Sequence, residues 1–119
     1  MIEGSPGNFP HIARNRPRAL TLRTAICEHH GQTEFLRRAD VLSGVPGRMA
    51  PSGQKRFKLN LSDSQPVACG PLGDWLSLLR LKHVDFFSLD VEGSELAVLE
   101  TLDWSSFSVH VMLVECYGA

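Results

Sequence analysis

The chain has 119 residues, of which 43% are hydrophobic, and its formal net charge is −1. This length allows one domain at most, and the composition is that of a folded globular protein rather than of a disordered segment. No apolar run approaches the roughly 20 residues that a membrane-spanning helix needs. The N-terminus also lacks the pattern of a signal peptide. A soluble protein is therefore expected, cytoplasmic by default, although the sequence leaves the compartment open.

The charged and sulfur-containing residues exclude further classes of function. Four arginines between positions 14 and 23 form the densest basic stretch. A proline interrupts them, so we interpret them as a solvated helix end and expect no nucleic-acid partner. Cys27, Cys69 and Cys116 are odd in number and far apart, without a CxxC pair, which favours free thiols over a disulfide or a zinc site. The adjacent His29 and His30 would point to opposite faces of a strand, so a turn is the better interpretation.

The first predicted elements are the end of a strand and a helix. Met1–Glu3 has the apolar and polar residues of a strand end. Ser5 can cap a helix whose first position is Pro6, the position that proline favours. Pro17 is expected to end this helix, because the residue before a proline is pushed out of helical geometry.

The middle of the chain predicts strands around a long loop. Leu20–Cys27 and Gln32–Arg37 are predicted as two strands that could form a hairpin. Residues 40–55 are rich in glycine and proline, and loops of that length are usually functional or disordered. Phe57–Leu61 and Gln65–Cys69 could be further short strands.

From Pro71 onward the pattern alternates between helix and strand. A well-buried helix is expected first, then an apolar strand over Val84–Leu89, then a helix over Glu95–Leu102 and a strand over Val109–Val114. The apolar stripe of the second helix comprises Leu96, Leu99 and Leu102. Such alternation predicts a parallel sheet with right-handed crossovers. The continuous apolar run of the first strand is typical of a strand buried on both faces.

Asp90 and Glu92 follow this central strand, at the sheet edge where ligands bind in open α/β folds. Three interpretations of these carboxylates are open. They could stand at a helix start, together with Glu95, where the helix dipole favours negative charge. They could hold a divalent ion, as acidic turns do in nucleotide-sugar transferases. They could also form the cofactor or substrate edge of a methyltransferase.

The order of motifs along the chain favours the third interpretation. Residues 85–96, DFFSLDVEGSEL, closely resemble the signature of the FkbM-type methyltransferase family: an aspartate, an apolar strand, then Asp-Val-Glu-Gly-small-Glu. Weaker matches follow the family's order elsewhere in the chain. These are Ile2-Glu3-x-x-Pro6, Ala25-Ile26 with Gly31 after it, Pro71-Leu72-x-Asp74, and Val114-Glu115.

The resemblance implies an α/β fold with a partial Rossmann-like class I methyltransferase sheet, and S-adenosylmethionine as the cofactor. Glu3 matches the acidic residue that accepts hydrogen bonds from both ribose hydroxyls, for which a carboxylate has two oxygens. Ala25 and Ile26 match the stretch that borders the adenine. Asp90 would face the methyl donor, and either Asp90 or Glu92 could take the proton from an attacking hydroxyl group.

Plainer roles also fit these residues. Glu3 could be a solvated residue near a chain end, and Ala25 and Ile26 could be ordinary strand core. Glu115 matches the end of the next strand and is a weaker candidate, since surface charge at a strand end explains it equally well.

The resemblance also shows what this sequence lacks. The family's first strand and its glycine-rich loop have no counterpart, and no GxGxxG pattern replaces them. We therefore expect residues 1–119 to be a partial domain, truncated at both ends, whose exposed sheet edges could cause self-association.

The expected activity is transfer of a methyl group from S-adenosylmethionine to a hydroxyl oxygen of a small molecule or glycan, impaired in this chain alone. A metal-dependent glycosyltransferase using Asp90 and Glu92 is the rival enzyme. A non-catalytic remnant or interaction module is the rival without catalysis.

Overall fold

The computed structural model describes residues 1–36, 45 and 64–116. The predicted strand over Phe57–Leu61 and the predicted loop over residues 40–55, except Val45, lie outside these residues. Within them the chain forms a mixed α/β fold of seven strands and three helices. None of the described helices has the length and apolar character needed to cross a bilayer.

The first sheet consists of two short parallel strands, β1 (Ile2–Glu3) and β2 (Leu22–Arg23). The predicted strand end at the N-terminus is thereby confirmed. Helix α1 (Phe9–Asn15) connects them and ends before Pro17, as expected.

Helix α1 begins later than the sequence predicts. The expected first position was Pro6, but residues 6–8 form a turn and Pro10 occupies the first helical turn instead. The Ser5 hydroxyl still accepts the N–H of Asn8 at 3.2 Å, so it stabilises the turn before the helix rather than the helix itself.

The second sheet contains β3 (Ala25–Ile26), β4 (Gly31–Leu36) and β5 (Ser64–Gly70), in the order β3-β5-β4. The predicted hairpin is wrong, because β5 lies between the two strands that were expected to pair. It runs parallel to β3 and antiparallel to β4. The predicted strand over Leu20–Cys27 is also divided at the buried Thr24, whose hydroxyl donates to the carbonyl of Ala68 at 2.9 Å.

The third sheet confirms the predicted helix–strand alternation. It pairs β6 (His83–Leu89) with β7 (Ser108–Val114) in parallel. Helix α2 (Leu72–Leu78) precedes β6, and helix α3 (Glu95–Leu99) connects the two strands. The last residues of the expected second helix, up to Leu102, form a turn after α3.

The main core lies between these helices and the third sheet. Its buried residues are Leu72, Leu76, Leu89, Val98, Leu102 and Phe107. Each such side chain contributes about 1.5–3 kcal/mol when it is fully buried. This core fixes the carboxyl end of β6, because Leu89, the last residue of that strand, is buried in the core.

Several burial predictions are wrong. Strand β6 is not buried on both faces, since Phe86 is 59% exposed and its register partner Val111 is 56% exposed. No helix in the described part of the chain covers that face. Leu78 on α2 and Leu96 on α3 are likewise exposed, so each helix buries a narrower stripe than its sequence suggests.

Cys27 and Cys69 form a disulfide, which corrects the prediction of free thiols. Ala25 and Ile26 on β3 pair with Cys69 and Gly70 on β5, and the N–H of the next residue, Cys27, donates to the carbonyl of Gly70 at 3.2 Å, which keeps Cys27 close to the end of β5. The two Cα atoms are 5.6 Å apart, within the usual range for a disulfide. Cys116 is free and exposed.

The described strands form three separate small sheets rather than one continuous sheet. Gly4, directly after β1, allows the first two sheets to approach closely. A Cβ atom at this position would lie 2.7 Å from the ring of the buried Phe35 on β4. This approach holds Glu3 at the end of β1, facing the space between the sheets.

Candidate functional site

One pocket of about 890 Å³ opens between the sheets. Its size is within the range of small-molecule sites. All five residues that the sequence assigned to a site line this pocket, namely Glu3, Ala25, Ile26, Asp90 and Glu92. Glu115 lines it as well. The structure therefore brings together residues as distant in the chain as Glu3 and Glu115.

The acidic side of the pocket is formed by the ends of β6 and β7. Leu89 pairs with Val114, so Asp90 and Glu115 leave adjacent strands at the same edge. Loss of hydration, a hydrogen bond to the Glu115 carboxyl group and the charges of Glu115, Glu92 and Glu95 raise the pKa of Asp90 to about 6. A carboxyl group with such a pKa changes protonation state near neutral pH, which suits it to accept a proton during a reaction.

Glu92 occupies the tightest part of the turn after β6. Its φ is 57°, in the left-handed region, and that of Gly93 is 102°. Left-handed backbone is unfavourable for a residue with a Cβ atom, and such residues are concentrated at functional sites. The turn directs the chain from β6 into α3 while Glu92 lines the pocket.

Glu95 holds this turn in place. Its Oε1 accepts the N–H of Val91 at 3.0 Å and the N–H of Gly93 at 3.1 Å. It also lies in the first turn of α3, where a negative charge interacts favourably with the helix dipole. The helix-start interpretation therefore applies to Glu95, and Asp90 lies before the turn.

Glu3 is half-buried and lines the same pocket from the end of β1. The N–H of Ser5 donates to its Oε1 at 2.6 Å, which orients the carboxylate. Burial raises the pKa of Glu3, and the hydrogen bond from Ser5 offsets part of that shift. A carboxylate has a second oxygen with its own acceptor capacity, so this group suits a ligand with hydroxyl donors.

Ala25 and Ile26 form part of the apolar lining of the pocket. Ala25 is buried in the small core of the second sheet, whereas Ile26 packs against the main core. Both also line the pocket, so the two interpretations of these residues, strand core and ligand wall, are compatible.

The pocket also has walls that the sequence analysis did not assign to a site. Thr24, Leu72 and Leu76 line it, as do several apolar residues of β6. The spacing of Leu72 and Leu76 predicts a buried helix face. Only the packing of α2 beside the open space shows that this face is also a pocket wall.

At this edge three acidic residues are close enough to be metal ligands, and they are not the pair of Asp90 and Glu92 that the glycosyltransferase interpretation uses. Among the described residues at this edge, Asp90, Glu95 and Glu115 have ligand atoms within 4.8 Å of one another, and Glu92 is outside this group. The Glu95 oxygen already accepts two backbone N–H groups. An ion held there would compete with the bonds that form the turn.

Comparison with known proteins gives one match. The sequence model of the methyltransferase FkbM domain matches residues 1–119, which include the acidic turn and Glu3. Searches among curated proteins and among solved structures found no match. The match covers the whole chain, and the chain therefore belongs to the family of proteins with a methyltransferase FkbM domain.

Proposed function

We propose that the pocket binds S-adenosylmethionine and that the acidic edge supports methyl transfer to a hydroxyl oxygen of a small molecule or glycan. The observation that carries this proposal is that Glu3, from the end of β1, and Asp90, from the end of β6, line one pocket although their strands belong to different sheets. In this proposal the three small sheets are parts of a class I methyltransferase sheet. The strand order expected for that sheet would place β1 and β6 on either side of a further strand.

The residues of the pocket fit the chemical parts of this cofactor. The oriented carboxylate of Glu3 can accept hydrogen bonds from the two ribose hydroxyls. Ala25 and Ile26 offer an apolar surface to a flat aromatic base. The carboxylates around Asp90 provide negative charge for a cationic ligand group.

The raised pKa of Asp90 supports its role as the proton acceptor. S-adenosylmethionine supplies an electrophilic methyl group on a positively charged sulfur. As a hydroxyl oxygen forms its bond to that methyl carbon, the carbon–sulfur bond breaks and the sulfur becomes neutral. Asp90 accepts the hydroxyl proton, and Glu115 shares the proton through its hydrogen bond to Asp90.

We propose that this chain alone binds the cofactor weakly. Its sequence holds no GxGxxG loop, and such a loop is where backbone N–H groups approach a nucleotide cofactor closely. A method that detects weak binding is therefore needed to test the site.

Titration of the isotope-labelled chain with S-adenosylmethionine, followed by amide NMR, tests the proposal. The signals of Glu3, Ala25, Ile26 and the Asp90 turn should shift together. Glu3→Gln should weaken binding by roughly 10-fold, since hydrogen bonds to a charged group contribute about 1.5–3 kcal/mol. Glu28→Gln, at an exposed position, is the matched control and should bind as the wild type does.

Two outcomes would overturn the proposal. One is the absence of shifts at these residues up to roughly 5 mM cofactor, a concentration that would detect even millimolar affinity. The other is a response to a nucleotide sugar that depends on Mn²⁺, with none to S-adenosylmethionine, which would favour the glycosyltransferase.

An interaction module is a second candidate because of the uncovered apolar face of the third sheet. Phe86, Val111 and Leu113 are each exposed by more than half, and Phe86 and Val111 are register partners. Exposed apolar patches of this kind are typical of interaction sites. Sedimentation velocity should then show self-association that Phe86→Ser weakens and that Leu78→Ser, an exposed leucine on α2, leaves unchanged. A monomer at high concentration would contradict this candidate.

A further inference from the structure

The opposite end of the β6–β7 sheet carries a cluster of His83, Asp85 and His110. His83 and Asp85 are two residues apart on β6, so their side chains leave the same face of the strand. Val84 pairs with Val109 and Phe86 with Val111, which places His110 beside Asp85 on that face. The parallel register alone therefore brings two imidazoles and one carboxylate together.

The distances within the cluster are close to those of metal ligands. Asp85 Oδ1 lies 3.5 Å from His83 Nε2 and 3.6 Å from His110 Nδ1. One ligand atom from each of the three residues lies within 4.8 Å of the others. Ligands bound to Zn²⁺ at 2.0–2.1 Å in a tetrahedron are about 3.3 Å apart. Side-chain movements of less than about 1.5 Å would thus complete the coordination.

The same distances are too long for direct hydrogen bonds between these groups, which for N–H···O are about 2.7–3.2 Å. The ligand atoms are therefore spaced as ligands around a shared ion are, rather than as hydrogen-bonded partners. The two rings are edge to face, with centroids 4.4 Å apart and planes inclined by 74°. This contact holds the rings close together, with Nε2 of His83 and Nδ1 of His110 both near Oδ1 of Asp85.

A hydrogen bond outside the cluster fixes the ring of His83. Its Nδ1 lies 2.8 Å from the hydroxyl of Ser108, its register partner on β7. When Nδ1–H donates to this hydroxyl, the lone pair of Nε2 is free to bind a metal. Histidine ligands in metal sites are commonly held in this way by a second partner.

We propose that His83, Asp85 and His110 form a binding site for a divalent transition metal ion, with Zn²⁺ as the expected occupant. Imidazole ligands favour such ions over Mg²⁺ and Ca²⁺, which prefer all-oxygen sites. Asp85 is 91% exposed at its side chain, so water can supply the fourth ligand.

This site is independent of the methyl-transfer proposal. None of its three residues lines the pocket, and Asp85 lies five residues before Asp90 along an extended strand, about 16 Å away. The two sites therefore occupy opposite ends of the same pair of strands. A failure of one proposal leaves the other intact.

Titration of the intact chain with Co²⁺, a spectroscopic substitute for Zn²⁺, tests the site. The wild type should bind one equivalent, with the intense visible absorption of a four-coordinate ion, and Zn²⁺ should displace it. His110→Ala removes a ligand, and Asp85→Asn replaces the charged carboxylate with a neutral amide oxygen, a poorer ligand for a divalent ion. Each should weaken binding by at least about 100-fold, because even the loss of an outer-shell partner costs about 10- to 100-fold. Ser108→Ala should weaken binding by about 10-fold.

Two controls separate this site from other metal-binding groups. Nε2 of His29 lies 3.8 Å from Oε1 of Glu28, but among the described residues this pair belongs to no group of three possible metal ligands. His29→Ala should therefore bind Co²⁺ as the wild type does. Cys116→Ser removes the exposed free thiol and should also have no effect. Unchanged affinity in His110→Ala, or loss of the absorption in Cys116→Ser, would overturn the proposal.

A measurement without substitutions guards against variants that fail to fold. In the wild-type NMR spectrum, Zn²⁺ should shift the ring signals of His83 and His110 at one equivalent and leave those of His11 and His29 in place. Shifts of all histidines in parallel would show non-specific binding and would contradict the site.

Discussion

The two ends of the β6–β7 sheet use the same strand pairing for different chemistry. At the carboxyl end, Asp90 and Glu115 leave adjacent strands and share a pocket with Glu92. At the amino end, Asp85 lies between two histidines on an open surface. Both clusters follow directly from the parallel register, which places residues of two distant segments side by side.

The difference between the ends lies in ligand type and in hydration. At the pocket, the loss of hydration and the neighbouring carboxylates raise the affinity of Asp90 for a proton, so that its pKa is about 6. Such an edge suits proton transfer and cationic groups. The amino end combines nitrogen and oxygen donors in water, which suits a transition metal. The register thus supplies proximity, and the residues at each end decide the function.

The largest expected effects come from substituting Asp85 and Asp90 one at a time. Asp85→Asn should weaken Co²⁺ binding by at least about 100-fold and leave the binding of S-adenosylmethionine unchanged. Asp90→Asn should weaken the cofactor by roughly 10-fold, through the loss of charge near a cationic group, and leave Co²⁺ binding unchanged. Parallel titrations of both variants with both ligands measure this. If either substitution affected both ligands alike, the two ends would not be separate sites.

A smaller effect is expected for Glu95, whose side chain holds the turn between β6 and α3. Glu95→Ala leaves the N–H groups of Val91 and Gly93 without their acceptor, so the free energy of unfolding should fall by about 1–2 kcal/mol. Glu95→Gln keeps an acceptor oxygen and should cost less. Urea unfolding measures both, with the exposed Glu100→Ala as the control. Equal midpoints for Glu95→Ala and Glu100→Ala would show that these bonds do not stabilise the turn.

A smaller effect on stability is expected when glycine replaces Arg80 or Glu92, the two non-glycine residues with left-handed backbone among those described. Arg80 (φ 56°) follows the end of α2, at a position where glycine is favoured. The N–H of the next residue, Leu81, donates to the carbonyl of Leu76. Arg80→Gly and Glu92→Gly should each raise the free energy of unfolding by up to about 1 kcal/mol, because the relief of strain exceeds the entropy cost of glycine. Only Glu92→Gly should alter cofactor binding. A loss of stability in Arg80→Gly would contradict the strain argument.

A further effect is a pH dependence of stability that belongs to Asp90. Because its pKa is raised from 3.8 to about 6, the folded chain holds this proton more tightly than the unfolded chain does. The stabilisation is complete below about pH 4 and is lost as the pH rises through about 6. The free energy of unfolding of the wild type, relative to Asp90→Asn, should therefore decrease over this window. Urea unfolding at four pH values measures it, and parallel pH profiles for the two proteins would contradict the raised pKa.

Local patterns were sufficient to predict the third sheet. The apolar run before Asp90 and the helix–strand alternation after Pro71 are encoded within short segments. They place Asp90 at the carboxyl end of a parallel strand, as the structure confirms. The burial of β6 was overestimated, because periodicity shows which residues are apolar but not whether another element covers them.

Long-range pairing could not be predicted in the same way. Strand β5 lies between β3 and β4, and this insertion both removes the predicted hairpin and brings Cys27 to Cys69, 42 residues away in sequence. His83 and His110 are also far apart and belong to no local motif. Their proximity follows only from the register of β6 and β7.

A crystal structure of the chain with S-adenosylhomocysteine tests the central claim most directly. This compound, the product left after methyl transfer, keeps the ribose and adenine without the reactive methyl group. We expect both ribose hydroxyls to lie within hydrogen-bond distance of the Glu3 carboxylate, with the adenine against Ala25 and Ile26 and the sulfur toward Asp90. A ligand bound outside this pocket, or bound within it with its ribose away from Glu3, would contradict the proposed methyltransferase site.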